Sequence, residues 1–281
     1  MNARTDLTVV VTGCSSGIGR HVAEGLKALG YKVIAHCRTE AQKHELSAVF
    51  EHVVAFDLAD EKAVAAGVDE IKQIAGDTLY ALFNNAAYGQ PGAVEDLTRQ
   101  VLEKQFATNL FGTHQLTNAL LPLLMASKRA HLIQHSSVLG FVGMGYRGAY
   151  NASKYALEGL TDTLRQELVG TSVQVSLIQP GPVLSDFRKN ALKALKANVD
   201  MTNSRHAKTY AQSLDRLNKS GAAVPFTVGP EEVLKRVVHA LESKRAKVRY
   251  PVTKPTYVLG FLKRILTSRA FDRVVKAASK A

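Results

Sequence analysis

Short apolar runs and amphipathic stretches alternate along the first two thirds of the chain. The runs at residues 7–11, 31–36, 52–56, 78–83, 131–134 and 173–178 are predominantly apolar, as expected of parallel strands buried on both faces. Between them, apolar residues return every three or four positions, the period of a helix with one buried side. Val22, Leu26 and Leu29 mark the first such segment, which ends at Gly30. Helices are predicted over 40–49, over 61–74 with Val64, Val68 and Ile71, and over 149–169. Residues 97–127 read as one long helix with Leu102, Phe106, Leu110, Leu116 and Leu120 on its apolar side; Pro122 marks a bend or a new turn. Six strands alternating with helices over about 180 residues predict an α/β fold with a doubly wound parallel sheet.

After Pro182 the pattern changes. Residues 184–221 are helical, basic and without a strand. Gly229-Pro230-Glu231-Glu232 then starts a helix through Leu241, with Pro at a favoured early position. Residues 248–252 predict a seventh strand at the sheet edge. No internal repeat or low-complexity linker interrupts the chain. It therefore reads as a single domain over 1–281: a core over 1–182, a substrate-covering insertion over 183–229, and C-terminal helices with the edge strand over 230–281.

In a doubly wound sheet the ligand lies at the carboxyl ends of the strands. The first strand breaks there at Thr12-Gly13-Cys14-Ser15-Ser16-Gly17-Ile18-Gly19 and leads into a helix. Such a turn lets a phosphate approach the backbone, and the helix N-terminus offers free N–H groups to a pyrophosphate. The Gly-x-x-x-Gly-x-Gly spacing is one residue longer in its first gap than the usual dinucleotide fingerprint. At the end of the second strand an acidic residue would bind the ribose hydroxyl of NAD. Here Cys37 and Arg38 stand instead, and Arg38 suits the 2′-phosphate of NADP; the plainer reading is a surface Arg in a loop. Asp57-Leu58 closes the third strand. Asp57 either accepts from an adenine amino group or caps its own turn. Asn84-Asn85-Ala86-Ala87 ends the fourth strand, Ser136-Ser137 the fifth and Gln179-Pro180-Gly181-Pro182 the sixth.

The segment 136–154 carries the candidate chemistry. Tyr150 and Lys154 are four residues apart on a predicted helix, and so share one face. An ammonium beside a phenol favours the phenolate and lowers its pKa from about 10. Such a Tyr can exchange a proton with a carbonyl or alcohol oxygen near neutral pH, and a Ser137 hydroxyl can hold the same oxygen. A Tyr-x-x-x-Lys spacing alone also occurs by chance on solvated helices. Its coincidence with the other motifs along one sheet edge is what raises it.

Composition adds mainly exclusions. The two cysteines, Cys14 and Cys37, make neither a disulfide framework nor a metal-ligand spacing, and the nine histidines are scattered. No metal is expected. No signal-like segment and no run of about 18 apolar residues is present, so a cytoplasmic protein is expected. The net charge of +12 fits several partners, but no nucleic-acid motif accompanies it.

Taken together, Thr12-Gly13-Cys14-Ser15-Ser16-Gly17-Ile18-Gly19, Asp57, Asn84-Asn85-Ala86, Asn109, Ser137, Tyr150-x-x-x-Lys154 and Pro180-Gly181 resemble the short-chain dehydrogenase/reductase family, a Rossmann-like fold. Gly13-Cys14-Ser15-Ser16-Gly17, the run 151–158 and Arg249-Tyr250-Pro251-Val252-Thr253 resemble bacterial NADP-dependent aldehyde reductases related to retinol and 17β-hydroxysteroid dehydrogenases. The resemblance implies Tyr150 as acid/base and Lys154 as the group that lowers its pKa and holds the nicotinamide ribose. It implies Ser137 as the residue orienting the substrate oxygen, and Asn109 as part of a water relay toward Lys154. It also implies cofactor contacts from Gly13, Ser15, Ser16, Gly17, Ile18, Gly19, Arg38, Asp57, Leu58, Asn84, Ala86, Tyr150, Lys154, Pro180, Gly181, Val183 and Ser185. Two positions depart from the family: Ala87 stands where Gly is usual, and Ser185 where Thr often follows the Pro-Gly turn.

The implied reaction is NADP(H)-dependent interconversion of a carbonyl and an alcohol. Leu139, Met144, Tyr146 and Phe187 line the expected substrate side and suit apolar aldehydes or ketones; the same residues would equally pack on one another. One alternative is a retinol or hydroxysteroid dehydrogenase acting oxidatively. Another is a non-catalytic dinucleotide-sensing protein, against which the full set of Asn109, Ser137, Tyr150 and Lys154 argues. A homodimer or homotetramer through the helices at 97–127 and 149–169 is expected from the family. Residues 256–278 form a basic amphipathic segment too short and charged to span a bilayer. It is expected to pack over the substrate pocket or a neighbouring subunit; peripheral contact with an anionic membrane is the alternative.

Overall fold

The computed structural model describes residues 4–218, 221–222 and 224–280. Its centre is a parallel sheet of seven strands in the order β3-β2-β1-β4-β5-β6-β7. These are β1 (Thr8–Val11), β2 (Lys32–Cys37), β3 (His52–Ala55), β4 (Ala81–Asn84), β5 (Ala130–His135), β6 (Val173–Gln179) and β7 (Arg249–Pro251). The seventh strand lies at the edge beside β6, as expected. The order reverses between β1 and β4, which pair Val9 with Ala81 and Val11 with Phe83. A crevice opens at such a reversal, at the strands' carboxyl ends.

Strand alternation explains why the runs are apolar throughout. Val9 and Val11 of β1 point to one core and Val10 to the other. On the first face pack α1 (Gly17–Ala28), α2 (Glu40–Ser47) and α9 (Glu231–Glu242), through Val22, Leu26, Leu46, Val233 and Val237. On the second lie α3 (Glu61–Ala75), α5 (Thr113–Ala126) and α6 (Gly148–Glu167), through Val64, Val68, Leu116, Leu120 and Leu164. The doubly wound fold is as the sequence predicted.

The long helix expected over 97–127 is interrupted. It comprises α4 (Arg99–Phe106), a π-helical turn Ala107–Gly112, and α5. Gly112 lies so close to the Leu58 carbonyl that any Cβ would collide with it. The wider turn also swings Asn109 into the interior, where it is buried. Insertions of this kind recur at functional sites. Pro122 lies within α5 without ending it.

The insertion after β6 holds α7 (Phe187–Asn198) and α8 (Ala207–Asn218). They pack on the loop after β4 and the start of α6, through Leu195, Tyr210, Leu97 and Ala149. The C-terminal segment is two helices, α10 (Lys254–Ile265) and α11 (Ser268–Lys280). Leu259, Phe271 and Val275 cover Val142, beside Phe141 and Met144 of the loop before α6. The segment therefore packs on the loop before α6.

Candidate active site

The turn between β1 and α1 is held from below. Thr12 Oγ1 accepts the N–H groups of Asn85 and Ala86, both at 2.9 Å, and Asn85 Nδ2 donates to the Thr12 carbonyl at 2.8 Å. His36 adds a brace: its Nδ1 accepts from Gly13 N–H at 3.2 Å, and its Nε2 donates to the Phe56 carbonyl at 2.8 Å. Burial holds His36 neutral, with its pKa lowered to about 4. Gly13 and Gly17 take φ of 74° and 57°, the left-handed region that favours glycine. Ser16 gives α1 no side-chain cap, so the first-turn N–H groups face the crevice. Ser185 lies against Gly17 from across it. A small-residue cradle with open N–H donors fits a dinucleotide pyrophosphate.

Other expected contacts divide. Arg38 is exposed just past β2, its backbone N–H donating to Gln42 Oε1. Asp57 Oδ1 accepts from Ala59 N–H at 2.9 Å, so the turn-capping reading is the geometry seen. Leu58 is buried under α3 and α5. Asn84 turns its side chain away from the crevice, donating to Thr117 Oγ1 at 2.8 Å, which leaves only its backbone at the edge. Val183 bridges Val228, and the Pro180 carbonyl accepts from Val138 N–H at 2.8 Å. Gly181 lies against Thr253. Ser15, Ile18, Gly19 and Ala86 belong to the turn or its support.

Tyr150 and Lys154 lie one turn apart on α6, both buried. The Ser137 hydroxyl donates to the Pro180 carbonyl at 3.5 Å and acts on the Tyr150 phenol, whereas Ser136 is buried with its hydroxyl unpartnered. Lys154 Nζ donates to the His135 carbonyl at 2.5 Å and stands 5.9 Å from the Tyr150 ring centroid. Burial raises Tyr150 to about 12; the Ser137 hydroxyl and the Arg147 charge pull it back only partly. This corrects the expectation that Lys154 lowers the phenol: here burial wins, and Lys154 itself drops to about 8 for the same reason. At neutral pH Tyr150 is thus a phenol, ready to donate.

Asn109 accepts Tyr88 N–H at 3.1 Å, and its amide donates to the Tyr88 carbonyl at 2.9 Å and to Ser153 Oγ at 3.3 Å. Its side chain thus joins the loop after β4 to the residue before Lys154.

The substrate-side residues also divide. The Phe187 ring packs edge-on to Tyr150 with centroids 5.3 Å apart. Leu139 is buried beside Ser137, whose Oγ takes its N–H at 3.1 Å. Met144 packs among the C-terminal helices. Tyr146 is instead a tie to the insertion: its hydroxyl meets His206 Nδ1 at 3.0 Å, and its ring meets Tyr210. Sequence reasoning missed Asn85 and His135 as supports; the Asn-Asn-Ala run held the signal for Asn85. Asn85 Oδ1 accepts from His135 Nδ1 at 2.7 Å, so a continuous chain of bonds links Thr12, Asn85, His135 and Lys154.

Comparisons agree with this geometry. The family model for short chain dehydrogenase matches residues 7–196. An uncharacterized oxidoreductase of Escherichia coli K12, YbbO, is 38% identical over 269 residues, covering 96% of this chain and 94% of its own. An NADPH-dependent 3-dehydrocapnine reductase of Ornithobacterium rhinotracheale is 32% identical over 280 residues, covering 94% of each. Among solved structures, a short chain dehydrogenase/reductase of Burkholderia phymatum in complex with NAD is similar, with a TM-score of 0.76 and 25% identity over 94% of each chain. The chain belongs to the short-chain dehydrogenase/reductase family of oxidoreductases.

Proposed function

We propose that the protein is an NADPH-dependent reductase of apolar aldehydes or ketones. The observation that carries this reading is the grouping of the buried Ser137 and Tyr150 hydroxyls with Lys154, one helical turn from Tyr150 on α6. Ser137 and Tyr150 hold the carbonyl oxygen. As negative charge develops there, the Tyr150 phenol gives its proton to that oxygen. A phenol near 12 is protonated at neutral pH and can act as the proton donor. Lys154 supplies a cation beside the phenol, and Asn109, bonded to Ser153, serves as the relay residue behind it. Phe187 and Leu139 exclude water on the substrate side.

The cofactor, when bound, supplies or accepts the hydride. The turn at 12–19, Ser185, Lys154 and the backbone of Asn84 and Pro180 would hold it, and Arg38 would select the 2′-phosphate. The exposed position of Arg38 just past β2 supports NADPH, as does the likeness to an NADPH-dependent relative. Consumption of NADPH over a panel of aldehydes, ketones and steroids, with NADH in parallel, tests the reading. Turnover of none of them would overturn it.

The proposal includes a cytoplasmic homodimer or homotetramer. Exposed Phe111, Met125, Tyr155 and Leu160 near and on α5 and α6 support self-association, which light scattering checks. It also includes peripheral membrane contact. Among the described residues no helix is long and apolar enough to cross a membrane. Yet α10 leaves Tyr257, Val258, Phe261 and Ile265 exposed, at 53, 55, 63 and 60%. They lie beside Lys254, Lys263 and Arg264, the pattern of a helix lying on an anionic surface. Salt-sensitive co-sedimentation with anionic vesicles supports this contact; no binding at low salt refutes it.

A further inference from the structure

Glu158 is a buried carboxylate with no part in the proton transfer at Tyr150. It lies on α6, one turn after Lys154 and two after Tyr150, along the buried side of the helix. Gln179 Nε2, at the end of β6, donates to its Oε1 at 2.8 Å, and Arg249 Nε of β7 donates to its Oε2 at 3.3 Å. Arg249 is shared with Asp162, a turn further along α6, through Nη2 at 2.5 Å. The residue after Gln179 is Pro180, whose carbonyl receives Val138 N–H at 2.8 Å and the Ser137 hydroxyl at 3.5 Å. Gly140, in the turn after Ser137, closes the other side: any Cβ there would collide with Ser136 Oγ and press on Glu158. Glu158 is thus set between α6 and the strand ends that carry Ser137.

A carboxylate is seldom buried unless paired, and a buried ion pair is a poor source of stability, because desolvation offsets most of the attraction. Its place beside Lys154 gives this one a use. Side chains four apart on a helix are neighbours, with Cβ atoms about 5–6 Å apart. Each leans toward the helix N-terminus, which carries Glu158 toward Lys154. Among the described residues no carboxylate touches Lys154 Nζ, whose bond is to the His135 carbonyl. The other titratable groups facing Lys154 are Tyr150 on α6 and His135 at the end of β5. The strand β6, the π-helical turn and the turn after Ser137 contain none, and Arg99, Glu103 and Lys104 of α4 are exposed. Burial lowers Lys154 to about 8, and the Glu158 charge opposes that fall.

We infer that Glu158 is a positioning residue for the reaction at Tyr150: tied to the ends of β6 and β7 by Gln179 and Arg249, its carboxylate stands behind Lys154 as the counter-charge that keeps Lys154 an ammonium. The inference rests on the reductase reading for its effect on turnover, and deepens it. Once Tyr150 has given its proton it is a phenolate, and an adjacent ammonium stabilises it. A neutral amine at Lys154 would not. The bond from Gln179 fixes the carboxylate to the strand that receives Ser137, so the counter-charge, Lys154 and Ser137 keep one geometry. Glu158 acts on the reacting oxygen only through Lys154.

Lysine labelled with 13C at Cε reports the charge of Lys154 by NMR without any turnover, its signal assigned by its loss in Lys154→Arg. Glu158→Gln keeps the shape and an acceptor for Gln179 but removes the charge. The Lys154 midpoint should then fall by about one pH unit or more, the effect of losing a nearby opposite charge. The alkaline limb of kcat, measured with NADPH and an aldehyde, should fall with it, while KM changes little. Glu158→Asp, which keeps the charge, should restore most of the native midpoint. Asp162→Asn loosens the same arginine further from Lys154, and should lower the thermal midpoint without moving the titration. A Lys154 midpoint unmoved in Glu158→Gln, or moved as far in Asp162→Asn, overturns the inference. If Glu158→Gln does not fold, Arg249→Gln decides: with that cation gone Lys154 should titrate higher, and an unchanged or lower midpoint overturns the inference. If the native protein reduces no aldehyde, the reductase reading fails, and the Lys154 titration still decides the role of Glu158.

Discussion

Lys154 Nζ donates to the His135 carbonyl at 2.5 Å, tying α6 to the end of β5. His135 in turn meets Asn85 at 2.7 Å, and Asn85 grips Thr12 at the base of the glycine-rich turn. The glycine-rich turn and the helix that carries Tyr150 are thus one hydrogen-bonded unit. Fixing both against the same strand ends preserves the distance between them, which is the geometric demand of a reaction between two bound molecules.

Arg38 should govern cofactor choice. Arg38→Ala is expected to weaken NADPH binding by about tenfold to hundredfold, the loss of one charge-assisted bond, and to leave NADH binding nearly unchanged. Titration of each cofactor by fluorescence checks this. Equal losses for both would make Arg38 structural.

Asn109 should matter for stability even without cofactor. Asn109→Leu orphans the Tyr88 N–H, although the Tyr88 carbonyl still accepts from Gln105 at 2.9 Å. One unsatisfied buried donor costs about 1–3 kcal/mol. Urea unfolding should show that loss, with Asn109→Asp retaining the bond to the N–H. An unchanged midpoint would contradict the clamp.

Acid should destabilise the fold earlier than carboxylate titration would. Burial lowers His36 to about 4 and His131 and His135 to about 3. The unfolded chain protonates these groups near 6.5. Below that pH the unfolded state takes up protons that the folded state refuses, so stability is full above about 6.5 and falls toward 4 and 3. Urea midpoints from pH 7 to 5 should decline over this interval. A flat profile down to the carboxylate range would show that the histidines are not held neutral.

Much of the fold was legible because burial on both sheet faces leaves a simple mark, the apolar run. The motif residues also had the order and spacing of one sheet edge, so Ser137, Tyr150 and Lys154 were found together. What escaped depends on three-dimensional neighbours. The π-helical turn arises from Gly112 meeting the Leu58 carbonyl, a contact between distant segments that no helical period reveals. Asn84 was expected at the cofactor edge, but Thr117 on α5 captures its side chain. The phenol pKa was misjudged because four-residue spacing reports proximity to Lys154 but not the desolvation that outweighs it.

The account turns on Tyr150 as the proton donor, and Tyr150→Phe tests it most directly. The substitution removes one hydroxyl and leaves the ring beside Phe187. NADPH binding, followed by fluorescence, should persist while NADPH consumption with an aldehyde that the native protein reduces falls by about 10²-fold or more. Consumption within a few-fold of the native rate, with cofactor bound, would contradict the assignment.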